Sequence, residues 1–270
     1  MTTTTTNSTW QLDRQSAEAY ERYLVPIYFA PGAQALNDLA APKPGERVLD
    51  VACGTGIVAR TAAQRVGPEG KVAGIDVNEG MLSVAAAAAS GIELHQGDVA
   101  DLPLPDSAFD VVFCQQAFQF FPDSWAALRE MRRVLAPGGR LAIAVMRPIE
   151  YTPGYVPFAA ALERHAGPEA GAIMRTPFRD WQVGDLRDLV AGAGFRDVQV
   201  IIAVGEARFP SVAEWLRTEG ASSPMAATVA ALDDEARAAL VREVEEALHD
   251  YVDDAGVVFP AQVYVATARA

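Results

Sequence analysis

Residues 48–56, Val48-Leu49-Asp50-Val51-Ala52-Cys53-Gly54-Thr55-Gly56, decide the fold. The segment begins as an apolar strand and breaks into a glycine-rich turn, after which a helical pattern runs over residues 56–65. Glycine lets the backbone approach a ligand where a Cβ atom would collide. The segment therefore predicts a strand, turn and helix that bind a ligand where the strand ends.

Short β-branched apolar segments alternate with longer helical patterns along the rest of the chain. This alternation is typical of an α/β protein whose mostly parallel sheet is covered by helices on both faces. The predicted strands are residues 47–52, 72–76, 92–96, 110–114, 141–146, 198–204 and 257–268. The clearest predicted helices are residues 56–65, 79–89 and 124–135.

Composition limits the class of protein. The chain has 270 residues, of which 50% are apolar and 21% charged, which predicts a soluble globular protein of one large domain, or of one domain with a small elaboration. Cys53 and Cys114 are too few for a disulfide framework, and residues 1–8 lack the basic and apolar regions of a signal peptide, so we expect a cytoplasmic protein. No apolar stretch is long enough to predict a membrane span.

Charge argues against nucleic acid as a partner. The sequence holds 22 Lys and Arg against 35 Asp and Glu, a net charge of −13, and its only lysines are Lys43 and Lys71. Binding to phosphates requires a clustered cationic face. A small molecule is the expected partner, no metal site is predicted, and the sequence leaves monomer and homodimer open.

Two stretches interrupt the alternation, and each leaves from the predicted carboxyl end of a strand, where ligands bind in open α/β sheets. We expect them to form a helical lid, in which the apolar face of Ala239, Leu240, Val244 and Leu248 closes over the substrate together with residues 157–165. The predicted organisation is an N-terminal helical cover at 1–40, a core at 41–146, a lid insertion at 147–182, core again at 183–205, a second lid insertion at 206–255 and the final core strand at 256–270.

Three successive predicted strands end in a carboxylate, namely Asp50, Asp76 and Asp98. Asp50 would repel a pyrophosphate and attract an ammonium group, whereas Asp76 can accept hydrogen bonds from a ribose diol and Asp98 from an adenine amine. The pattern Gly54-x-Gly56-x-x-Ala59 also fits a dinucleotide fingerprint, which leaves an NAD-dependent oxidoreductase as an alternative. No Tyr-x-x-x-Lys pair supports that alternative.

Five motifs together resemble the Rossmann-like, seven-stranded S-adenosylmethionine-dependent methyltransferases, specifically the small-molecule group of the ubiquinone and menaquinone methylases. The motifs are residues 48–56, 74–82 (Gly-Ile-Asp-Val-Asn-Glu-Gly-Met-Leu), 97–103 (Gly-Asp-Val-Ala-Asp-Leu-Pro), 109–112 (Phe-Asp-Val-Val) and 129–141 (Arg-Glu-Met-Arg-Arg-Val-Leu-Ala-Pro-Gly-Gly-Arg-Leu). The resemblance implies an antiparallel seventh strand and the cofactor S-adenosylmethionine, with S-adenosylhomocysteine as the product.

The resemblance also implies a set of cofactor-binding residues. The glycine turn would line the methionine part, Asp76 would hold the ribose, and Met81 or Val77 would pack on the adenine. Asp98 and the Val99 backbone would bind the adenine amine. The full set, in which Tyr20 and Tyr23 complete the cover, is Tyr20, Tyr23, Asp50, Ala52, Cys53, Gly54, Thr55, Gly56, Asp76, Val77, Met81, Asp98, Val99 and Gln115.

The implied reaction is the direct transfer of a methyl group to a small, largely apolar acceptor, and it leaves the catalytic residues unknown. Many relatives carry a His-His pair after the fourth strand, where this chain has Gln115-Gln116, so His165 and His249 in the insertions remain candidate bases. A non-methylating S-adenosylmethionine-binding protein or a rearrangement enzyme stays open as an alternative. The candidate substrate residues are Gln116, Phe120, Arg147, Tyr151 and Trp215.

Overall fold

A computed structural model describes residues 10–270, so residues 1–9 of the predicted N-terminal cover lie outside the described part. The strands are β1 (Arg47–Val51), β2 (Lys71–Asp76), β3 (Glu93–Gln96), β4 (Phe109–Gln115), β5 (Leu135–Met146), β6 (Arg196–Phe209), β7 (Val252–Asp253) and β8 (Gly256–Arg269). The α-helices are α1 (Arg14–Ala19), α2 (Ala30–Ala40), α3 (Ile57–Val66), α4 (Glu79–Ala88), α5 (Ser124–Val134), α6 (Tyr155–His165), α7 (Pro168–Arg175), α8 (Val183–Gly192), α9 (Val212–Ala221), α10 (Ala226–Ala230) and α11 (Asp234–Ala247).

The strands form one mixed sheet in the order β3-β2-β1-β4-β5-β8-β6, in which β8 runs antiparallel to both of its long neighbours. This confirms the predicted Rossmann-like fold with its antiparallel final strand. The two-residue β7, which pairs with the start of β8, was not predicted. The strand order reverses between β1 and β4, and ligands bind at such a switch point, outside the carboxyl ends of the strands.

Apolar side chains cover both faces of the sheet. Leu49, Ile75 and Val112 pack under α5 and α8, whereas Val48, Val111 and Phe113 pack under α2 and α3 on the opposite face. Alternate residues of one strand therefore serve opposite faces, as the period of two in a strand requires. Because both faces of the sheet are buried, β1 and β4 carry apolar residues at successive positions and not only at alternate ones.

β6 is longer than predicted because it continues past the sheet with β8 as a two-stranded ribbon, whereas the strand predicted at 257–268 matches nearly the whole of β8. β5 pairs with β8 only as far as Met146 and Val263, whereas β6 stays paired with β8 to Phe209 and Val257. The side chains of the ribbon residues Ala207, Phe209, Val257 and Phe259 are buried among the helices of the two insertions. The ribbon therefore anchors the insertions to the sheet.

The insertions share one apolar core, which we call the lid cluster. Its buried members are Tyr155, Phe158, Ala159, Ala161, Leu162, Ala170, Met174, Ala207, Phe209, Val212, Trp215, Leu216, Met225, Leu240, Val244, Leu248, Val257 and Phe259. Leu240, Val244 and Leu248 were expected to face the substrate. The structure instead buries them inside this cluster, because two insertions without a core of their own must cover each other's apolar faces.

Residues 14–40 form a nearly continuous helical rod, in which α1 passes into a π-helical segment, Tyr20–Phe29, and then into α2. Pro26 lies inside the π-helical segment and has no backbone N–H to donate to the helical ladder. Leu12 and Ala17 pack against Met81 and Val84 of α4. The rod therefore lies across the sheet edge that carries the glycine turn.

We expect Gly80→Ala to detach the start of this rod. A Cβ atom at Gly80 would lie 2.4 Å from the Leu12 carbonyl oxygen and 2.9 Å from the carbonyl carbon of Asp13, so the backbone of the incoming segment must move. Overpacking of this kind costs roughly 1 to 3 kcal/mol. Limited trypsin digestion should therefore cut after Arg14 and Arg22 faster than in the parent protein.

Gly184→Ala is the matched control, because an added Cβ meets nothing within 4 Å there. Unchanged cleavage of Gly80→Ala at Arg14 and Arg22 would show that the rod does not depend on this close approach.

Candidate functional site

The Asp50 carboxylate lies beneath the glycine turn. Its side chain is 1% exposed, and Oδ2 accepts a hydrogen bond of 3.0 Å from the backbone N–H of Ala59 in the first turn of α3. The residue before α3 is Gly56, which has no side chain to cap the helix, so Asp50 satisfies one of its free amides. Burial raises the pKa of Asp50 to about 8, with a smaller contribution from the charge of Asp76.

The Asp76 carboxylate joins the glycine turn to the start of α4. Oδ2 accepts from the Gly54 N–H and Oδ1 from the Asn78 N–H, both at 2.8 Å. Asn78 in turn caps α4 by accepting from the Met81 N–H at 2.9 Å. A carboxylate has about four acceptor positions, so each Asp76 oxygen keeps capacity for one more donor.

The glycine turn itself leaves open space on one side. Gly54 has φ +55°, and a Cβ atom added there would meet nothing within 4 Å. The Cys53 side chain points the other way and packs on Gly74, whose own Cβ position would lie 2.9 Å from the sulfur. Burial raises the pKa of the Cys53 thiol well above its usual value. The Thr55 hydroxyl is buried without a hydrogen-bonding partner in residues 10–270.

The predicted adenine residues follow β2 and β3. Val77 is exposed and Asp98 is also exposed, with Oδ1 accepting from the Ala100 N–H at 2.9 Å. Val99 packs at the margin of the sheet core, whereas Met81 is buried against Leu12 under the N-terminal rod. These residues flank one edge, but their roles toward adenine stay a prediction.

The N-terminal rod covers this edge. Tyr20 lies against Met81, and its pKa is raised well above 10 by burial and then by the charges of Glu21, Asp76, Asp50 and Glu219. The Tyr20 ring therefore lies within the field of the carboxylates that follow β1 and β2. Tyr23 lies elsewhere, with its ring 5.2 Å from the Arg22 guanidinium and 5.0 Å from that of Arg217 on α9.

An ion pair that the sequence did not reveal fixes the rod to the sheet layer. Glu21 Oε1 accepts from Arg60 of α3 at 2.7 Å, and both side chains are about one quarter exposed. Glu21 Oε2 and Arg60 Nε are buried without partners in the described chain. The spacing of 39 residues carries no periodic signal, so only the fold could bring them together.

Gln115 connects the end of β4 to the rod. Its Nε2 donates to the Phe29 carbonyl oxygen at 3.0 Å, while its buried Oε1 has no partner among the described residues. Gln116 follows with a left-handed φ of 51° and donates its N–H to Ala144 at 2.7 Å. Phe120 stacks on Trp10 with ring centroids 5.6 Å apart.

The remaining substrate candidates separate into two places. The Arg147 guanidinium lies 3.4 Å from the centre of the Tyr151 ring and bonds to Gln262 at the base of the ribbon. Trp215 is fully buried in the lid cluster, where its ring lies 4.9 Å from that of Phe259. The structure therefore does not join Trp215 to Arg147 and Tyr151 in one surface.

Neither candidate histidine base is buried in the lid cluster. His165 pairs with Glu243 of α11 at 3.1 Å, and His249 is 74% exposed. A buried carboxylate of the lid, Glu219 on α9, was missed by sequence reasoning. Its Oε1 accepts from the Tyr155 hydroxyl at 2.5 Å and from Trp215 Nε1 at 3.3 Å. A helical spacing of four from Trp215 was the available signal.

The buried acidic residues of this region fit a cationic nucleoside ligand. Carboxylates of Asp50, Asp76 and Glu219 are buried, and burial raises the pKa of each. A ligand with an ammonium and a sulfonium group would favour their charged forms. The open side of Gly54 gives it room, and the spare capacity of Asp76 suits a ribose diol. In residues 10–270 no group of three or more His, Cys, Asp or Glu could hold a metal ion.

Comparison with known proteins agrees with this geometry. A family model described as a methyltransferase domain matches residues 49–143. The nocamycin O-methyltransferase of Saccharothrix syringae is 35% identical over 202 residues, which cover 68% of this chain and 71% of that protein. The demethylmenaquinone methyltransferase of Listeria welshimeri is 33% identical over 180 residues, covering 60% and 75%. The 2-phytyl-1,4-naphtoquinone methyltransferase of Synechococcus elongatus is 41% identical, covering 49% and 60%.

Solved structures share the fold at lower identity. Haemonchus contortus phosphoethanolamine N-methyltransferase 2, in complex with S-adenosyl-L-methionine, superposes with a TM-score of 0.59 at 18% identity, covering 95% of this chain and 57% of that chain. The cyclase SpnF superposes with a TM-score of 0.54 at 22% identity, covering 89% and 80%. The fold is thus that of the Rossmann-like methyltransferases. The chain belongs to the family of S-adenosylmethionine-dependent methyltransferases and is an enzyme of that class.

Within residues 10–270 no helix is both long and apolar enough to cross a bilayer.

We expect Asp50→Asn to reduce the dependence of stability on pH. The pKa of Asp50 is about 8 in the fold and near 3.8 when unfolded, so the folded state holds the extra proton between these values and stability falls as pH rises. Between pH 5 and pH 8 this amounts to roughly 3 to 4 kcal/mol. Urea unfolding at several pH values measures it.

Asparagine keeps an oxygen that can accept from Ala59, so the helix start should survive. Asp254→Asn, at an exposed position, is the control. Identical pH dependence in Asp50→Asn and the parent protein would show that Asp50 is already ionised in the fold at neutral pH.

Proposed function

We propose that this enzyme transfers a methyl group from S-adenosylmethionine to a small, largely apolar organic acceptor by direct displacement. The observation that carries the proposal is the Asp76 carboxylate, which holds the open glycine turn and keeps acceptor capacity toward a ribose. The relatives named for demethylmenaquinone, for a phytyl naphtoquinone and for nocamycin support the acceptor class.

In this proposal the cofactor-binding residues are those that surround the turn. Gly54 and Thr55 lie beside the methionine part, Asp76 accepts from the ribose, and the exposed Val77 packs on the adenine near Asp98. Gln115 adds an amide whose Oε1 has no partner in the described chain. Asp50 holds the start of α3 from below the turn, and a cationic cofactor would favour its charged form.

When bound, the cofactor supplies a methyl group on a positively charged sulfur. The protein's part is to hold the acceptor nucleophile in line with that methyl group and to exclude water. Alignment of this kind can contribute roughly 7 to 11 kcal/mol to lowering the barrier. The N-terminal rod closes one side, through Tyr20 and the Glu21–Arg60 ion pair, and the lid insertions close the other. Cofactor and acceptor therefore meet under cover from two directions.

The two-sided cover also supports a small acceptor over a polymeric one. The rod is fastened at Gly80 and at Arg60, and the insertions are fastened by the ribbon, so both covers are firmly packed elements. Selectivity would then come from pocket shape more than from charge.

Loss of the Asp76 carboxylate should weaken the cofactor's binding. We expect Asp76→Ala to bind S-adenosylhomocysteine more weakly by roughly 1.5 to 3 kcal/mol, the range for hydrogen bonds to a charged group. Calorimetric titration measures the change, and Asp254→Ala, an exposed carboxylate, is the control. The parent protein should give no heat with NAD. Normal affinity in a folded Asp76→Ala protein, or binding of NAD in place of S-adenosylhomocysteine, would refute the assignment.

Acceptor class is tested by labelling. The enzyme is incubated with methyl-labelled S-adenosylmethionine and a panel of naphthoquinols, phenols, aliphatic amines and oligonucleotides. We expect label in one or more of the small aromatic acceptors and none in the oligonucleotides. Label in the oligonucleotides alone, or in no member of the panel when S-adenosylhomocysteine binds, would contradict the acceptor proposal.

A further inference from the structure

A buried carboxylate in the lid has hydrogen bonds but no cation. Glu219 is 4% exposed and receives the Tyr155 hydroxyl and the indole N–H of Trp215, both on Oε1. No Lys, Arg or His in residues 10–270 forms an ion pair with it. A buried charge without a cation is costly, so a carboxylate kept in this place points to a role beyond packing.

Burial raises the pKa of Glu219 to about 7, and the nearby polar groups of Tyr155, Trp215 and Tyr28 act more weakly in the opposite direction. The tyrosines Tyr155 and Tyr28 have pKa values raised well above 10, so they stay protonated near neutral pH. Glu219 is therefore the group of this set that changes charge around pH 7. A proton acceptor works best when its pKa is close to the working pH.

Glu219 lies a short chain of contacts away from the cofactor edge. Gln115, at the end of β4, donates to the Phe29 carbonyl oxygen. The Phe29 ring lies 4.7 Å from the ring of Tyr20 and 6.4 Å from that of Tyr28. The charge of Glu219 contributes to the raised pKa of Tyr20, as do the charges of Asp76 and Asp50. The pKa of Tyr20 therefore responds both to the glycine-turn carboxylates and to Glu219.

Two hydrogen-bonding groups at this place, Glu219 Oε2 and the Tyr28 hydroxyl, can still bind a ligand. Both donors bond to Oε1, so Oε2 is the oxygen that can receive a ligand hydroxyl. The Tyr28 hydroxyl is buried and has no hydrogen-bonding partner among the described residues. A buried polar group left unpaired costs roughly 1 to 3 kcal/mol. The surrounding rings of Tyr28, Tyr155 and Phe209 are aromatic, so the matching ligand is a hydroxyl group carried on an apolar ring.

We propose that Glu219 is the proton acceptor for a ring hydroxyl of the substrate, which makes the acceptor a phenol or an enol and the reaction an O-methylation. The inference rests on the proposed function. The acceptor's O–H bond breaks and its proton passes to Glu219 Oε2. The oxygen bonds to the methyl carbon, and the electron pair of the broken C–S bond stays on sulfur, which gives S-adenosylhomocysteine. Tyr155 and Trp215 are positioning residues, because they hold Oε1.

A binding experiment tests the inference without turnover. In the presence of saturating S-adenosylhomocysteine, we compare 1-naphthol with 1-methoxynaphthalene, which has the same ring but no hydroxyl proton. We expect the parent protein to prefer 1-naphthol about tenfold or more, the effect of a hydrogen bond to a charged group. Glu219→Gln keeps an oxygen for Tyr155 and Trp215, and the preference should fall to less than threefold. Glu245→Gln, exposed on α11 of the same lid, should keep it.

The outcomes separate the two proposals. If the parent protein fails to bind S-adenosylhomocysteine, the proposed function fails. If that ligand binds but 1-naphthol shows no preference, or neither naphthalene binds, or the preference survives in Glu219→Gln, the role of Glu219 is refuted while the methyltransferase function stands.

Turnover provides the second test, on whichever hydroxyl acceptor of the labelling panel is methylated. The parent kcat should rise with pH through about 7, because Glu219 must lose its proton before it can accept another. Glu219→Gln should lose that rise and most of kcat for weakly acidic phenols, and much less for a phenol already ionised at the working pH. Tyr155→Phe should move the rise to higher pH. An unchanged profile in Glu219→Gln, or labelling only of amines, would overturn the inference.

Discussion

The structure depends on the two hydrogen bonds by which Asp76 joins the glycine turn to the start of α4. Gly54 and Asn78 donate their amides to opposite oxygens of one carboxylate at equal distances of 2.8 Å. Because these residues follow β1 and β2, the bonds fix the two strand ends that border the switch point of the sheet. The turn can then stay open on the side away from Cys53, where glycine allows a ligand to approach the backbone. Asp50 completes this edge from below by holding the first turn of α3.

In the proposed function, cover over that edge comes from two directions, and specific contacts hold each of the two covering elements in place. The N-terminal rod reaches α4 because Gly80 has no side chain, and it reaches α3 through the Glu21–Arg60 ion pair. The insertions are held by the ribbon of β6 and β8, which continues past the end of the neighbouring strand β5. Trp215 fills the centre of the lid cluster, so its role is to hold the insertions together and to orient Glu219. The apolar lid cluster thereby fixes the position of the Glu219 carboxylate.

Buried carboxyl groups are the common electrostatic feature of the site. Asp50, Asp76 and Glu219 all have raised pKa values because the fold removes them from water. An arrangement of this kind favours a cationic ligand, and it makes proton uptake part of the enzyme's behaviour near neutral pH. It also gives Glu219, in the lid cluster, a pKa of about 7, which suits the proton transfer proposed for it.

The sequence by itself determined the class of fold and the position of the glycine turn, because hydrophobic period, turn glycines and strand-end acids are local patterns. It also predicted all seven long strands, with errors at their ends. It predicted nearly the whole of β8 but not the extension of β6 that pairs with it in the ribbon, because how far the two strands stay paired depends on contacts between residues about 60 positions apart. Nor did it find Glu219 or the Glu21–Arg60 pair, and it expected Leu240, Val244 and Leu248 to face the substrate. Only the tertiary structure decided these, since which apolar face meets which partner, and which acid loses its water, follows from the packing of distant segments.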